Sequence, residues 1–111
     1  MHEMTIVANV LGIAHRQAAA AGAARINRVV LEVGTLAGVE TDALRFCFDA
    51  ARSGLSAHAE LEIRSLPGRG RCPGCGATAD VNELAAVCEA CGRVMEISGG
   101  RELSVASLNV D

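Results

Sequence analysis

A chain of 111 residues suffices for one ordinary domain, or for a small core plus a metal-stapled module. Half of it is apolar, yet Phe46 and Phe48 are its only aromatic residues, so any core it builds is aliphatic. A net charge of −3 supplies no basic face for nucleic acid, and no apolar run approaches the ~20 residues of a membrane span.

In chain order, Val7, Val10, Leu11, Ala14, Ala18 and Ala21 recur at three- and four-residue steps, which predicts a helix over roughly 4–21 that Gly22 ends. Val29 to Val33 form a β-branched run bounded by Gly34, so 26–33 reads as a strand. Thr41 is the expected N-cap of a second helix, with Asp42 in its first turn suiting the helix dipole. Its apolar stripe is Leu44, Cys47, Phe48, Ala51 and Leu55, with Gly54 as the breaker; Cys47 falls on that stripe and reads as a buried small hydrophobe. Ala59, Leu61 and Ile63 alternate with Glu60, Glu62 and Arg64, a strand with one face buried and one wet.

Pro67-Gly68-Arg69-Gly70 reads as a linker, and Gly99-Gly100 closes the far side of the segment it opens. After Gly100, Leu103, Val105, Leu108 and Val110 return to strand spacing, with a phase slip that means either a bulge or burial on both faces. The expected fold class is α+β: two helices and a small sheet over residues 1–66 and 102–111, with an inserted four-cysteine zinc-ribbon or rubredoxin-knuckle-like domain over 67–101. The order is helix, strand, helix, strand, metal module, and a last strand rejoining the first sheet.

The inserted segment carries the strongest signal. Cys72-Pro73-Gly74-Cys75-Gly76 and Cys88-Glu89-Ala90-Cys91-Gly92 are two Cys-x-x-Cys-Gly knuckles 12 residues apart. Two thiolates at this spacing point at one ion when the chain turns tightly, and the glycine after each second cysteine permits that turn. Four thiolates make a closed tetrahedral site with no open position for a substrate. The amino terminus lacks the basic start and apolar stretch of a signal peptide, so a cytosolic chain is expected. In a reducing compartment, five cysteines suggest metal ligation or burial before disulfides. Zinc is the expected ion. Iron in a rubredoxin-like redox site fits the same ligands, but nothing else in the chain suggests electron transfer.

The amino terminus offers a second donor set. The Met1 amine, the backbone nitrogen of His2 and its imidazole can close fused chelate rings suited to nickel(II) or copper(II), and Glu3 adds a carboxylate. The alternative is an idle terminus in which Glu3 merely complements the first helix dipole.

Met1-His2-Glu3-Met4 opening a helix, Val33-Gly34 closing the first strand, Leu44 to Phe48 on a helix, and the doubled Cys-x-x-Cys before a last Ser-Leu strand together resemble the HypA/HybF family. These are nickel-insertion accessory proteins for nickel–iron hydrogenases, and the resemblance covers essentially the whole chain. It implies a nickel-binding α+β domain with an inserted structural zinc domain, and a nickel metallochaperone that delivers its cargo and catalyses nothing. The implied nickel ligands are the Met1 amine, His2 and Glu3. Glu40 matches an acidic residue found just before the second helix in the family, either as a ligand or as a solvated helix-start acid. The zinc ligands are Cys72, Cys75, Cys88 and Cys91. The implied partners are a HypB-like GTPase and the hydrogenase large subunit, with urease maturation proteins also served by some relatives; nucleic acid and membrane are not expected partners. No His stands beside the four cysteines, unlike in some relatives, which puts pH sensing by the zinc site in doubt. A chain without Lys has no Gly-x-x-x-x-Gly-Lys phosphate loop. The competing class is a zinc-ribbon adaptor for protein or nucleic acid, whose segment here has neither net charge nor an aromatic stacking surface.

Overall fold

The computed structural model describes residues 2–111; Met1, whose amine is the first expected nickel ligand, lies outside the described residues. The chain divides into two compact units. One comprises 1–32, 39–64 and 104–111, the other 33–38 and 65–103.

In the first unit, helix α1 (Glu3–Ala20) buries Ile6, Val7, Val10, Leu11, Ala14 and Ala18, the three- and four-residue stripe. It ends in a Schellman motif. Gly22 stands at φ +69, its N–H bonds to Ala19 O, and the Ala23 N–H reaches Ala18 O at 2.9 Å. Strand β1 (Ile26–Gly34) is the middle of a three-stranded sheet, which is why its apolar run is nearly continuous. Helix α2 (Thr41–Ala51) packs on α1, burying Leu44 and Phe48. Strand β2 (Glu60–Leu66) lies beside β1. Arg28 pairs with Glu60 and Glu62, and the Thr35 N–H bonds to Leu66 O, so the two strands run parallel and α2 is their crossover.

Three details of this unit depart from the sequence expectations. The N-cap of α2 is Glu40, not Thr41: Thr41 is already helical, while the extended Glu40 turns its carboxylate onto the Asp42 N–H at 3.3 Å. The helix stops at Ala51, short of Leu55. Ser53 and Ser56 there form a reciprocal capping box that starts a separate 3-10 turn at Gly54–Ser56. Ser56 is fully buried, and its hydroxyl donates to Ser53 O at 2.8 Å while accepting from the Ser53 N–H and from His15 Nε2 at 2.8 Å. Cys47 is only half-buried, because the inward side of α2 is taken by Leu44 and Phe48 alone. Phe46, on the other side, is 75% exposed.

The second unit holds its own sheet, in the order β4–β3–β5, where β3 is Gly68–Arg71, β4 Thr78–Val81 and β5 Glu96–Gly99. The expected linker at 67–70 is therefore the middle strand of a sheet, antiparallel to both neighbours. Its Gly-Arg-Gly-Arg sequence alternates at the period of a strand. Gly68 and Gly70 face inward, where a Cβ would strike the Val81 carbonyl or crowd Val81 and Met95 at 3.1 and 3.3 Å. Arg69 faces outward and pairs with Asp80. Cys72, Val81, Cys88 and Met95 form the core, with Leu36, Ala86 and Ile97 packed against it. The 33–38 segment is anchored here by bonds from the Leu36 N–H to Gly100 O and from the Gly34 N–H to Glu102 O, both 2.7 Å. A Cβ on Gly34 would collide with that Gly100 carbonyl.

The last strand, β6 (Leu103–Val110), rejoins the first sheet on the other side of β1. The Asp111 N–H bonds to Arg25 O at the start of β1, and Glu102 O bonds to Gly34 at its end, so β6 is antiparallel to β1. Ala106 and Ser107 are both exposed, which removes burial on both faces as the reading of the phase slip. Among the described residues no helix is long and apolar enough to cross a membrane, and no buried side-chain nitrogen or oxygen lacks a hydrogen-bond partner.

Candidate metal centre

The two knuckles are built alike. In the first, the Gly76 N–H returns to Cys72 O at 2.9 Å, and the Cys72 N–H bonds to Ala77 O at 2.8 Å. In the second, the Gly92 N–H returns to Cys88 O at 2.8 Å, and the Cys88 N–H bonds to Arg93 O at 2.7 Å. Gly76 and Gly92 stand at φ +77 and +76, a conformation that costs any other L-residue roughly 1–2 kcal/mol. The first cysteine of each pair, Cys72 and Cys88, is buried; the second, Cys75 and Cys91, is exposed.

All four sulfurs lie within 4.8 Å of one another. Cys75 Sγ and Cys88 Sγ are 3.8 Å apart, and Cys72 Sγ and Cys91 Sγ 3.1 Å. Sulfurs held about 2.3 Å from a tetrahedral zinc ion lie about 3.8 Å from each other, the Cys75–Cys88 separation, and the 3.1 Å of Cys72–Cys91 would widen around it. Both separations exceed the ~2.05 Å of a disulfide, and all five cysteines are free. The electrostatics show what the metal must displace. Hydrogen bonds to its sulfur from the Cys75 backbone and from the Cys91 side chain lower Cys72 to about 6. The Arg93 N–H favours the Cys91 thiolate, but the hydrogen bond with its partner Cys72 opposes this, and Cys91 is pushed up to about 12.

The amino-terminal residues are placed differently. His2 is exposed and is the N-cap of α1, with no side-chain capping bond; its carbonyl accepts from the Thr5 and Ile6 N–H groups at 3.1 and 3.3 Å. Among the described residues its imidazole has no hydrogen-bond partner. Glu3 opens the helix, and its Oε2 lies 3.5 Å from the Glu40 N–H, so the starts of α1 and α2 meet. Glu3 and Glu40 are 37 residues apart in sequence, and the structure brings them together. Each carboxylate is turned to a backbone N–H at the head of α2, where the helix dipole favours a negative charge. Among the described residues, the cysteines are the only group of three or more His, Cys, Asp or Glu whose ligand atoms draw this close together.

One residue of the cysteine site escaped the sequence reading. Arg93 follows the second knuckle, yet its side chain lies over the first: a Cβ on Gly74 would sit 2.8 Å from Arg93 Cδ and 3.0 Å from Nε and Nη1. The only sequence trace of this contact is a glycine inside the first knuckle, where turn geometry alone does not require one: Gly74 is not among the residues at positive φ.

The chain matches, over residues 1–110, the family described as hydrogenase/urease nickel incorporation, metallochaperone, hypA. Similar proteins include the hydrogenase maturation factor HypA of Chlorobaculum tepidum, 44% identical with both chains covered in full, and that of Azotobacter chroococcum, 42% identical with the same coverage. Among solved structures, the solution structure of the nickel metallochaperone HypA from Helicobacter pylori superposes with a TM-score of 0.71 at 26% identity, covering 99% of this chain and 97% of that one. A second HypA solution structure gives 0.75 at the same identity, covering 99% and 96%.

Proposed function

Since this chain belongs to the HypA family of hydrogenase and urease nickel-incorporation metallochaperones, we propose that it binds nickel(II) at the start of α1 and hands it on for assembly of the nickel–iron hydrogenase site. The unit containing both helices carries the cargo, and the cysteine unit holds a structural zinc ion. The observation that carries this reading is the exposed His2, whose imidazole makes no capping bond, beside a Glu3 carboxylate that reaches the head of α2.

The Met1 amine, the His2 backbone nitrogen and the His2 imidazole would form the fused chelate, with Glu3 as a further donor. Glu40 acts beside them, as cap of α2 and neighbour of Glu3. An exposed site of this kind can bind and release, as delivery requires, and it offers no reacting group, so the chain acts as a carrier and not as a catalyst. Zinc in the closed four-sulfur site supplies folding energy and no chemistry. A HypB-like GTPase and the hydrogenase large subunit are the proposed partners, with urease maturation as a second outlet, all in the cytoplasm.

Nickel titration by calorimetry on protein beginning at Met1, with zinc counted in parallel, tests the reading. His2→Ala is expected to abolish specific nickel binding while zinc content and helix content stay unchanged. Residues placed before Met1 should weaken binding too, by turning the amine into an amide. Parental nickel affinity in His2→Ala would sink the mechanism.

A further inference from the structure

Arg93 touches both halves of the cysteine site by different atoms. Its backbone closes the second knuckle, where its carbonyl accepts from the Cys88 N–H at 2.7 Å. Its side chain crosses to the first knuckle, with Cδ, Nε and Nη1 all packed where a Gly74 side chain would begin. No carboxylate pairs with Arg93 among the described residues, although Arg69 in the same unit is paired with Asp80. The Arg93 side chain is exposed and lies along the first knuckle at Gly74. Four thiolates around a divalent ion leave two net negative charges, and a cation lying along the knuckle lowers the cost of holding those charges together.

We propose that Arg93 is the positioning residue of the zinc centre: its side chain straps the second Cys-x-x-Cys turn onto the first, and it thereby sets how slowly the ion escapes. This rests on the reading of the four cysteines as a zinc site. Zinc leaves such a site only when its thiolates let go, and the exposed members, Cys75 and Cys91, are the ones a competing chelator reaches first. A strap across the two turns opposes that release. Gly74 is part of the device, because only a residue without a Cβ lets the arginine lie flat on the turn.

The test uses the full chain loaded with zinc, and follows transfer of the ion to a chromogenic chelator in excess. Zinc is first counted in the parent: a parent without one zinc per chain refutes the zinc reading, independently of the strap. With that zinc present, Arg93→Ala is expected to release it about ten- to a hundredfold faster, the usual range for loss of a partner outside the ligand shell. Gly74→Ala leaves Arg93 in place but displaces its side chain, and should speed release in the same direction. The double variant should be no faster than the faster single one, since both changes remove one contact. Arg101→Ala changes net charge equally and should leave the rate unchanged. Release from Arg93→Ala within twofold of the parent, multiplying effects of the two single changes, or equal acceleration in Arg101→Ala would each overturn the strap. If Arg93→Ala fails to fold, Gly74→Ala against the parent decides alone.

Discussion

Individual side chains here do work that their type does not reveal. Cys47 and Cys72 are both free cysteines in a chain without disulfides, and only position separates them. Cys47 is half-buried on α2 beside Phe48, so Cys47→Ala should cost less than about 1 kcal/mol and leave zinc stoichiometry unchanged, measured by urea unfolding and metal analysis. Cys72 is lowered to about 6 and Cys91 pushed up to about 12. A thiol that keeps its proton at neutral pH must lose it to bind zinc. The binding enthalpy of zinc should therefore vary with the ionisation enthalpy of the buffer, showing at least one proton released per ion, and affinity should fall as the solution is acidified. An enthalpy independent of buffer would show that no thiol proton is released. At the other end of the chain, the Arg25 hydrogen bond, then Asn27, hold the Asp111 carboxyl below its usual value. That contribution is present above the ordinary carboxylate pKa and disappears as pH falls through the lowered one, and with both partners 59% exposed it is a small one.

At the scale of elements, the head of α2 shows how one acid serves two purposes. Glu40 caps the helix through the Asp42 N–H, and its own N–H faces the Glu3 carboxylate. Glu40→Ala should cost about 1 kcal/mol of stability in urea unfolding, and Glu40→Asp should restore most of it, because a shorter carboxylate caps at least as well. Nickel affinity should weaken less in Glu40→Ala than in His2→Ala, which keeps the cap but loses the chelate. A larger nickel defect in Glu40→Ala would make Glu40 the principal ligand. The strand β3 carries the converse lesson. Its Gly-Arg alternation has the period of a strand, but its residue types are those of a loop, and composition outweighed period in reading it. Gly68 stands there because the Val81 carbonyl and Leu36 leave no room for a side chain, and Gly70 because Val81 and Met95 crowd it.

Across the whole molecule, the two units have separate cores, one lined by α1, α2 and β1, the other by Cys72, Val81, Cys88 and Met95. Two of those four core residues are the buried members of the cysteine pairs proposed to hold zinc, so the second core is built against that site. Stripping zinc with a chelator, or replacing Cys75 or Cys91 by Ala, should unfold the 72–91 segment while the helical circular dichroism persists, since both helices belong to the other unit. Loss of the helical signal together with zinc would show that the first core depends on the second. The amino-acid sequence by itself determined the paired cysteines, the two helices and the apolar strands. Those features are local: a doubled Cys-x-x-Cys-Gly, a 3.6-residue stripe and a period-2 alternation each repeat over a few residues. It also carried the family resemblance, through short motifs in fixed order. Only the tertiary structure decided that 68–71 is a central strand, that 33–38 packs with the cysteine core, that Glu3 meets Glu40, and that Arg93 crosses from one knuckle to the other. Each of these joins residues far apart in the chain by steric fit or a single hydrogen bond, and such contacts leave no periodic trace along the sequence.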